Sequence, residues 1–172
     1  MLDDAAAERR VTIAWKDGCP TLVHRLSVTG VLPAEYKSWT DNYLKNVQAL
    51  APPNVTYTDL GEDQGRQCIL QRIDPQVMFI SARSIVTTAY KKTEDDDIMF
   101  FLSSKGNEAL AEQQKDRIGS DVVGTLHVNF FTFKPKMDSC GDVIGTDCIQ
   151  VYSMNPNGSL PSMVVDKLVK KQ

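Results

Sequence analysis

The last third of the chain carries the pattern that most constrains its fold: two long runs with strand-like alternation, followed by a short amphipathic segment. The runs cover residues 122–137 and 142–154, and a turn at residues 155–158 leads into residues 159–171. In this last segment apolar side chains recur on one helical face, namely Leu160, Met163, Val164 and Leu168. A sheet bent around one apolar helix can enclose a cavity, so we expect a helical lid over space for a hydrophobic molecule.

Length, charge and cysteine content narrow the class of protein. The 172 residues suit one domain, and a net charge of −3 argues against a nucleic-acid partner. The sequence shows neither a secretory signal nor an apolar run long enough to span a bilayer, so we expect a cytoplasmic protein. The four cysteines, which are Cys19, Cys68, Cys140 and Cys148, form no Cys-x-x-Cys pair. We therefore expect reduced thiols, no metal site and no cofactor.

The upstream pattern predicts a mixed α+β fold. Pro33 begins a helical stripe that ends before Pro52, and residues 107–119 fit either a helix or an ordered loop. Residues 1–14 resemble the frayed end of a helix because alanines cluster there. Strand alternation is predicted over residues 21–29, 55–60, 67–73, 81–92 and 98–104. With the two later runs, at least six strands can form an antiparallel meander beside the closing helix.

Catalytic signals are sparse. His24 and His127 are the only histidines, and each lies within a strand pattern without a nucleophile or spaced carboxylate nearby. A structural role is the favoured interpretation for both. An enzyme acting inside a cavity would have to use these two residues, Asp147 or Arg83. We expect no catalytic residues.

The strand faces suggest which residues line the cavity. In residues 81–92 neither face is purely apolar, which is typical of a strand that meets a ligand or ordered water. The alternative for Arg83 is that it reaches solvent from the strand end. In residues 122–137 the set containing Leu126 is expected to face inward. The candidate ligand-binding residues are Arg83, Ile85, Thr87, Leu126, Val128 and Phe130 from strands, with Met163, Val164 and Leu168 from the lid.

Four segments together resemble the START lipid-transfer domain. They are Trp15-Lys16-Asp17-Gly18, Ser81-Ala82-Arg83-Ser84-Ile85-Val86, Ala111-Glu112-Gln113-Gln114-Lys115 through Arg117, and Gly158-Ser159-Leu160-Pro161 with Val164-Val165-Asp166. The resemblance implies a helix-grip fold, in which a curved antiparallel sheet wraps around a C-terminal helix and encloses a hydrophobic cavity. It assigns residues 15–172 to this domain and leaves residues 1–14 as an N-terminal extension or a truncated first helix. It also makes residues 107–117 a gate loop beside the C-terminal helix.

The resemblance implies non-catalytic binding, and intracellular transfer or sensing, of a lipid, sterol or similar hydrophobic molecule. A monomer with transient contact to a membrane surface is implied as well. Ser84 stands where the family usually has aspartate, and Ala89 where several members place a buried arginine, so the resemblance does not extend to an ion pair that binds a head group. Two alternatives remain open: an interaction module with a filled core, and a cavity enzyme of cyclase or hydrolase type.

Overall fold

The computed structural model describes residues 7–16 and 19–158, which form one nine-stranded sheet with helices on both faces. The strands are β1 (Ala7–Lys16), β2 (Cys19–Thr29), β3 (Val55–Asp63), β4 (Arg66–Ile73), β5 (Arg83–Glu94), β6 (Asp97–Ser103), β7 (Val122–Val123), β8 (Thr125–Met137) and β9 (Val143–Asn155). The helices are α1 (Pro33–Asp41), α2 (Tyr43–Leu50), α3 (Glu108–Gln113) and α4 (Lys115–Ile118). The α+β class predicted from the sequence is confirmed.

The sheet runs in the order β1-β2-β9-β8-β6-β5-β4-β3, with antiparallel neighbours throughout. Six of these strands, from β3 to β9, form the meander expected from their alternation, while β7 pairs with β5 in parallel. The β1–β2 hairpin joins the meander at β9. Gly145 is required there, because a Cβ atom at this position would lie 2.0 Å from the main-chain oxygen of Val28.

The two faces of the sheet carry separate apolar clusters. Helices α1 and α2 cover the face that carries Ile69 and Ile85, which we name the α1–α2 face. Helices α3 and α4 pack on Leu70 and Val86, so they cover the opposite α3–α4 face. Successive residues of a strand point to opposite sides, which is why adjacent residues of β4 and β5 belong to different clusters.

Aromatic contacts fix the first two helices against the sheet. The ring of Tyr36 in α1 stacks on Phe133 with centroids 4.6 Å apart, and Tyr43 in α2 lies 4.6 Å from Phe100. The single helix predicted from Pro33 onward is divided at Asn42, whose side-chain amide donates to the main-chain oxygen of Ser38 at 3.0 Å. A side chain that bonds the backbone in this way competes with the helical pattern.

Two sequence-based expectations for local structure are wrong. Residues 7–14 are not a frayed helix but most of β1, which pairs with β2 from Ala7–Val28 to Lys16–Cys19. The β-branched residues Val11, Thr12 and Ile13 favour this strand over the helix that the alanines suggested. Residues 108–118 form two short helices on the α3–α4 face, and not the loop that the resemblance implied for residues 107–117.

A β-bulge in β8 changes which residues of that strand face the α1–α2 core, so the inward-facing residues differ from those expected. Leu126 pairs with Met154 but Val128 already pairs with Ser153, so one extra residue lies between them. Leu126 belongs to the α1–α2 cluster, and the bulge transfers this face to Asn129 and the alternate residues after it. The expectation that Val128 and Phe130 face inward is therefore wrong, because both lie on the α3–α4 face.

The predicted closing helix lies outside the described residues, and so do its candidate ligand contacts Met163, Val164 and Leu168. Within the described ranges, no helix combines the length and the apolar character that a bilayer crossing requires.

Candidate ligand cavity

A cavity of about 160 Å³ lies on the α1–α2 face of the sheet, closed on one side by α2. Six strands and one helix supply the residues that line it, so the cavity forms only when the whole sheet is assembled. Its lining is Tyr43 from α2, Tyr57 from β3, Ile69 and Gln71 from β4, Thr87 from β5, Leu102 from β6, Leu126 and Asn129 from β8, and Tyr152 from β9.

Hydrogen bonds among neighbouring strands orient the polar groups of this lining. The Gln71 amide nitrogen donates to the Tyr57 hydroxyl at 3.1 Å. On the far side, Gln150 donates to the Asn129 side-chain oxygen at 3.0 Å. The Thr87 hydroxyl is turned to the main-chain oxygen of Ile69 at 3.4 Å. These bonds hold an amide group at each side of the cavity.

Two tyrosines of the cavity, Tyr43 and Tyr57, remain protonated. Burial raises the pKa of Tyr43 far above its ordinary value, and the nearby Tyr57 and Tyr152 add to the shift. Burial also raises the pKa of Tyr57. Both side chains therefore act as neutral hydroxyl groups over the whole physiological pH range.

The strand pattern explains how polar side chains reach an otherwise apolar face. In β4, Gln71 lies between Ile69 and Ile73 at the two-residue spacing of one face. In β8, the bulge carries Asn129 to this face and places it opposite Tyr152. The sequence contained a signal for Gln71, because it is a polar residue between two apolar residues on the inward face of a strand. Asn129 could not be assigned, because the bulge has no clear sequence mark.

Of the six described residues predicted to bind a ligand, two line the cavity. They are Thr87 and Leu126. Ile85 is fully buried on the same face and packs in the adjacent core. Val128 and Phe130 lie on the opposite face. The residues that sequence reasoning did not select are Tyr43, Tyr57, Ile69, Gln71, Leu102, Asn129 and Tyr152.

Arg83 is buried at the first position of β5 and does not line the cavity. Its guanidinium donates to the main-chain oxygen of Ser81, and a Cβ atom on Gly158 would lie 3.6 Å from its Nη2. Its Nε atom is buried and has no hydrogen-bond partner among the described residues. With a relative exposure of 5 %, the side chain does not extend into solvent as the alternative for this residue proposed.

The residues considered for catalysis are not brought together at the cavity. His127 is exposed beside the bulge, and Asp147 is exposed on β9, where it accepts a hydrogen bond from the Ser27 hydroxyl at 2.6 Å. His24 lies on β2, opposite Val11 and Gln150. None of the three is a cavity residue. The described part of the chain contains no group of three or more His, Cys, Asp or Glu side chains arranged to hold a metal ion.

A larger depression of about 680 Å³ lies over β2 and β9 but is open to solvent. Its charged residues Arg10, Arg25 and Asp147 are all exposed. Because it is open to solvent, it shields a ligand from water less than the cavity on the α1–α2 face does.

The large antiparallel sheet and the helices packed on it are consistent with the helix-grip class of α+β proteins, whose C-terminal helix falls outside the described residues of this chain. The START-like fold predicted from the sequence motifs is confirmed by solved structures that share it. Human STARD10 aligns with a TM-score of 0.59 and 13% sequence identity, covering 92% of this chain and 65% of that one. The chain thus spans somewhat less than two thirds of the STARD10 chain.

Two further structures show the same fold. The lipid transfer and protein localization domain of human StarD13 (DLC2) has a TM-score of 0.55 at 11% identity, with 91% of this chain and 80% of that chain covered. A fragment of the STAR-related lipid transfer protein from Xanthomonas axonopodis has a TM-score of 0.54 at 16% identity, covering 92% and 89%. No family model matches the sequence, and no curated protein matches it.

Proposed function

We propose that the protein is a non-catalytic, cytoplasmic, monomeric domain that binds one lipid, sterol or similar hydrophobic molecule. The observation that carries this proposal is the cavity on the α1–α2 face of a START fold, in which apolar and neutral polar side chains alternate. Burial of apolar ligand surface supplies affinity at about 0.8 kcal/mol per methylene group, without any dedicated chemistry. No acid or base among the described residues lines the cavity, which gives the cyclase or hydrolase alternative no support.

Transfer or sensing requires contact with a membrane, and one loop is suited to it. The loop between β4 and β5 exposes Val77, Met78 and Phe79, whose relative exposures are 46%, 79% and 97%. Phe79 has a left-handed backbone with φ of 68°, a conformation that is costly for a bulky residue and typical of functional loops. Such exposed apolar side chains mark sites of membrane or protein contact.

The exposed loop belongs to one end of the molecule together with the end of α2. Main-chain and side-chain groups of Asn54 and Asp74 form two hydrogen bonds of 2.8 and 2.9 Å, which join the start of β3 to the end of β4. Leu50, at the end of α2, is 75% exposed. We propose that this end rests on the membrane while the ligand enters or leaves.

Native mass spectrometry of the purified protein, combined with a vesicle-to-vesicle transfer assay, tests the binding proposal. We expect one bound lipid per chain and measurable transfer. The variant Thr87→Phe fills the cavity and should abolish both, whereas Thr88→Phe, on the opposite face of the same strand, should retain them. The proposal fails if no lipid co-purifies and no phospholipid, sterol or neutral lipid is transferred, or if both variants behave alike.

The cavity volume favours one second candidate, an interaction module with a filled core. Ligand sites usually measure about 300–1,000 Å³, whereas the described residues enclose about 160 Å³. A filled core predicts a ligand-free protein whose urea unfolding midpoint is unchanged by added lipid. A lipid carrier predicts a higher midpoint, because ligand binding stabilises the folded state.

A further inference from the structure

The described lining of the cavity contains no charged side chain. Six of its nine residues nevertheless carry hydrogen-bonding groups, all of them neutral. They are Tyr43, Tyr57, Gln71, Thr87, Asn129 and Tyr152. A cavity meant only for acyl chains would not need these groups, since each costs free energy when it is removed from water. Their presence points to a polar part of the ligand.

Part of this hydrogen-bonding capacity is unused within the described chain. The Gln71 amide uses its nitrogen on the Tyr57 hydroxyl, and the Asn129 amide uses its oxygen to accept from Gln150. The second group of each amide and the hydroxyl of Tyr43 have no partner among the described residues. These three groups are not among the buried unpartnered atoms, so they are accessible from the cavity, where a ligand hydroxyl or carbonyl can take the place of water.

An ionised group would find no compensation in the same place. A buried charge is strongly unfavourable unless an opposite charge or several hydrogen bonds meet it. The buried cation nearest along β5, Arg83, donates to the main-chain oxygen of Ser81 at the strand end and is not a cavity residue. Phosphate or carboxylate therefore has no cationic partner among the described lining residues.

The volume indicates how much of a ligand this part of the site holds. An engineered cavity of about 150 Å³ accepts benzene, so the 160 Å³ found here suits a ring or a small polar head group. We infer that the cavity holds the hydroxyl- or carbonyl-bearing end of an uncharged amphiphile and discriminates against phosphate- and carboxylate-bearing lipids. This inference rests on the proposed lipid-binding function and specifies its ligand class.

Two probes with identical acyl chains test the charge preference: dioleoylglycerol and dioleoylphosphatidic acid, each titrated against the delipidated protein by native mass spectrometry. We expect the uncharged lipid to bind at least tenfold more tightly. Equal affinity, or preference for the phosphatidic acid, overturns the inference and leaves the lipid-binding proposal intact. If neither probe binds, binding of phosphate- or carboxylate-bearing lipids from the transfer panel overturns the inference alone, whereas binding restricted to sterols or other uncharged lipids supports it. Binding of no lipid overturns both proposals.

Matched glutamine variants test the role of the amides. Gln71→Met keeps the side-chain size but removes the amide, and we expect it to weaken dioleoylglycerol binding about threefold to tenfold. Gln48→Met is the control, since Gln48 bonds the main-chain oxygen of Tyr57 at 3.0 Å from outside the cavity. The affinity ratio is measured on folded protein only, as shown by circular dichroism. Equal affinities of both variants for dioleoylglycerol would contradict the assignment of Gln71.

Discussion

Phe130 and Phe131 are consecutive residues of β8 that lie on opposite faces of the sheet. Phe131 lies within 6.4 Å of Trp39 and of Phe100, measured between ring centroids, and packs on the α1–α2 core. Phe130 lies opposite Phe101 and Val151 on the other face. We expect Phe131→Ala to lower the free energy of unfolding by about 3 kcal/mol, and Phe130→Ala by about 1 kcal/mol. Urea denaturation measures both losses of unfolding free energy. A larger loss for Phe130→Ala than for Phe131→Ala would contradict the register that the bulge gives to β8.

The thiols of Cys140 and Cys148 differ in environment and should differ in reactivity. Burial raises the pKa of Cys148 to about 11, whereas Cys140 is exposed in the turn before β9. Because only the thiolate reacts, iodoacetamide at pH 8 should modify Cys140 at least about 100-fold faster than Cys148. The rate at Cys148 should rise about tenfold per pH unit up to its pKa. Peptide mapping gives both rates, and labelling in guanidinium, where the difference should vanish, is the control.

At the scale of secondary-structure elements, alternation predicts most strands because alternate residues of a strand lie on the same face of the sheet and share its environment. The pattern in β5 and β6 also predicts their hairpin, which the structure contains. It cannot predict which residues face the cavity in β8, since a single extra residue at the bulge reverses every later side chain. Of the six described candidates, Thr87 and Leu126 line the cavity, and the bulge is the reason why Val128 and Phe130 lie on the other face.

Asp121, in the segment that follows α4, links this segment to strands β4 and β5 of the sheet. Its carboxylate accepts hydrogen bonds from Arg72 Nε and from the Ser84 hydroxyl, both at 2.8 Å. Thus Ser84, where the START family usually has aspartate, meets a carboxylate from another element. We expect Asp121→Ala to lower the free energy of unfolding by about 2 kcal/mol and to increase hydrogen exchange in α3 and α4.

Asp74 provides the matched control for this prediction. Its ion pair with Arg72 is longer, at 3.8 Å, and its side chain is 46% exposed. Exposed pairs of this kind contribute little, so Asp74→Ala should cost less than about 1 kcal/mol. If the two variants are equally stable by urea denaturation, the hydrogen bonds of Asp121 to Arg72 and Ser84 do not stabilise the fold as predicted.

The loop between β4 and β5 should bind membranes through apolar contact. The double variant Met78→Ser with Phe79→Ser removes its two most exposed apolar side chains, and we expect about a tenfold or larger loss of partition into phosphatidylcholine vesicles. Because residues 74–82 contain no lysine or arginine, binding should not weaken when sodium chloride rises. Vesicle co-sedimentation measures both effects.

A second exposed apolar pair serves as the control for the loop. Met137 and Val143 lie opposite each other where β8 leads into β9, at the end of the sheet remote from the loop, with exposures of 55% and 42%. Serine at both positions should leave vesicle binding unchanged. An equal loss in the two double variants would show that general surface hydrophobicity, and not the loop, drives binding.

At the scale of the whole molecule, β1 is a structural edge of the sheet. Deletion of residues 1–14 removes the backbone partners of β2 from Thr21 to Val28. With about 0.5 net kcal/mol for each of roughly eight lost hydrogen bonds, we expect the free energy of unfolding to fall by about 4 kcal/mol. The exposed edge of β2 should also promote association, because an unpaired strand edge is a template for another chain. Urea denaturation and light scattering measure the two effects.

Deletion of residues 1–6 leaves every described pair in place and is the control. If the longer deletion keeps the unfolding midpoint and remains monodisperse, residues 1–14 are a dispensable extension, which is one of the two roles that the resemblance implied for them.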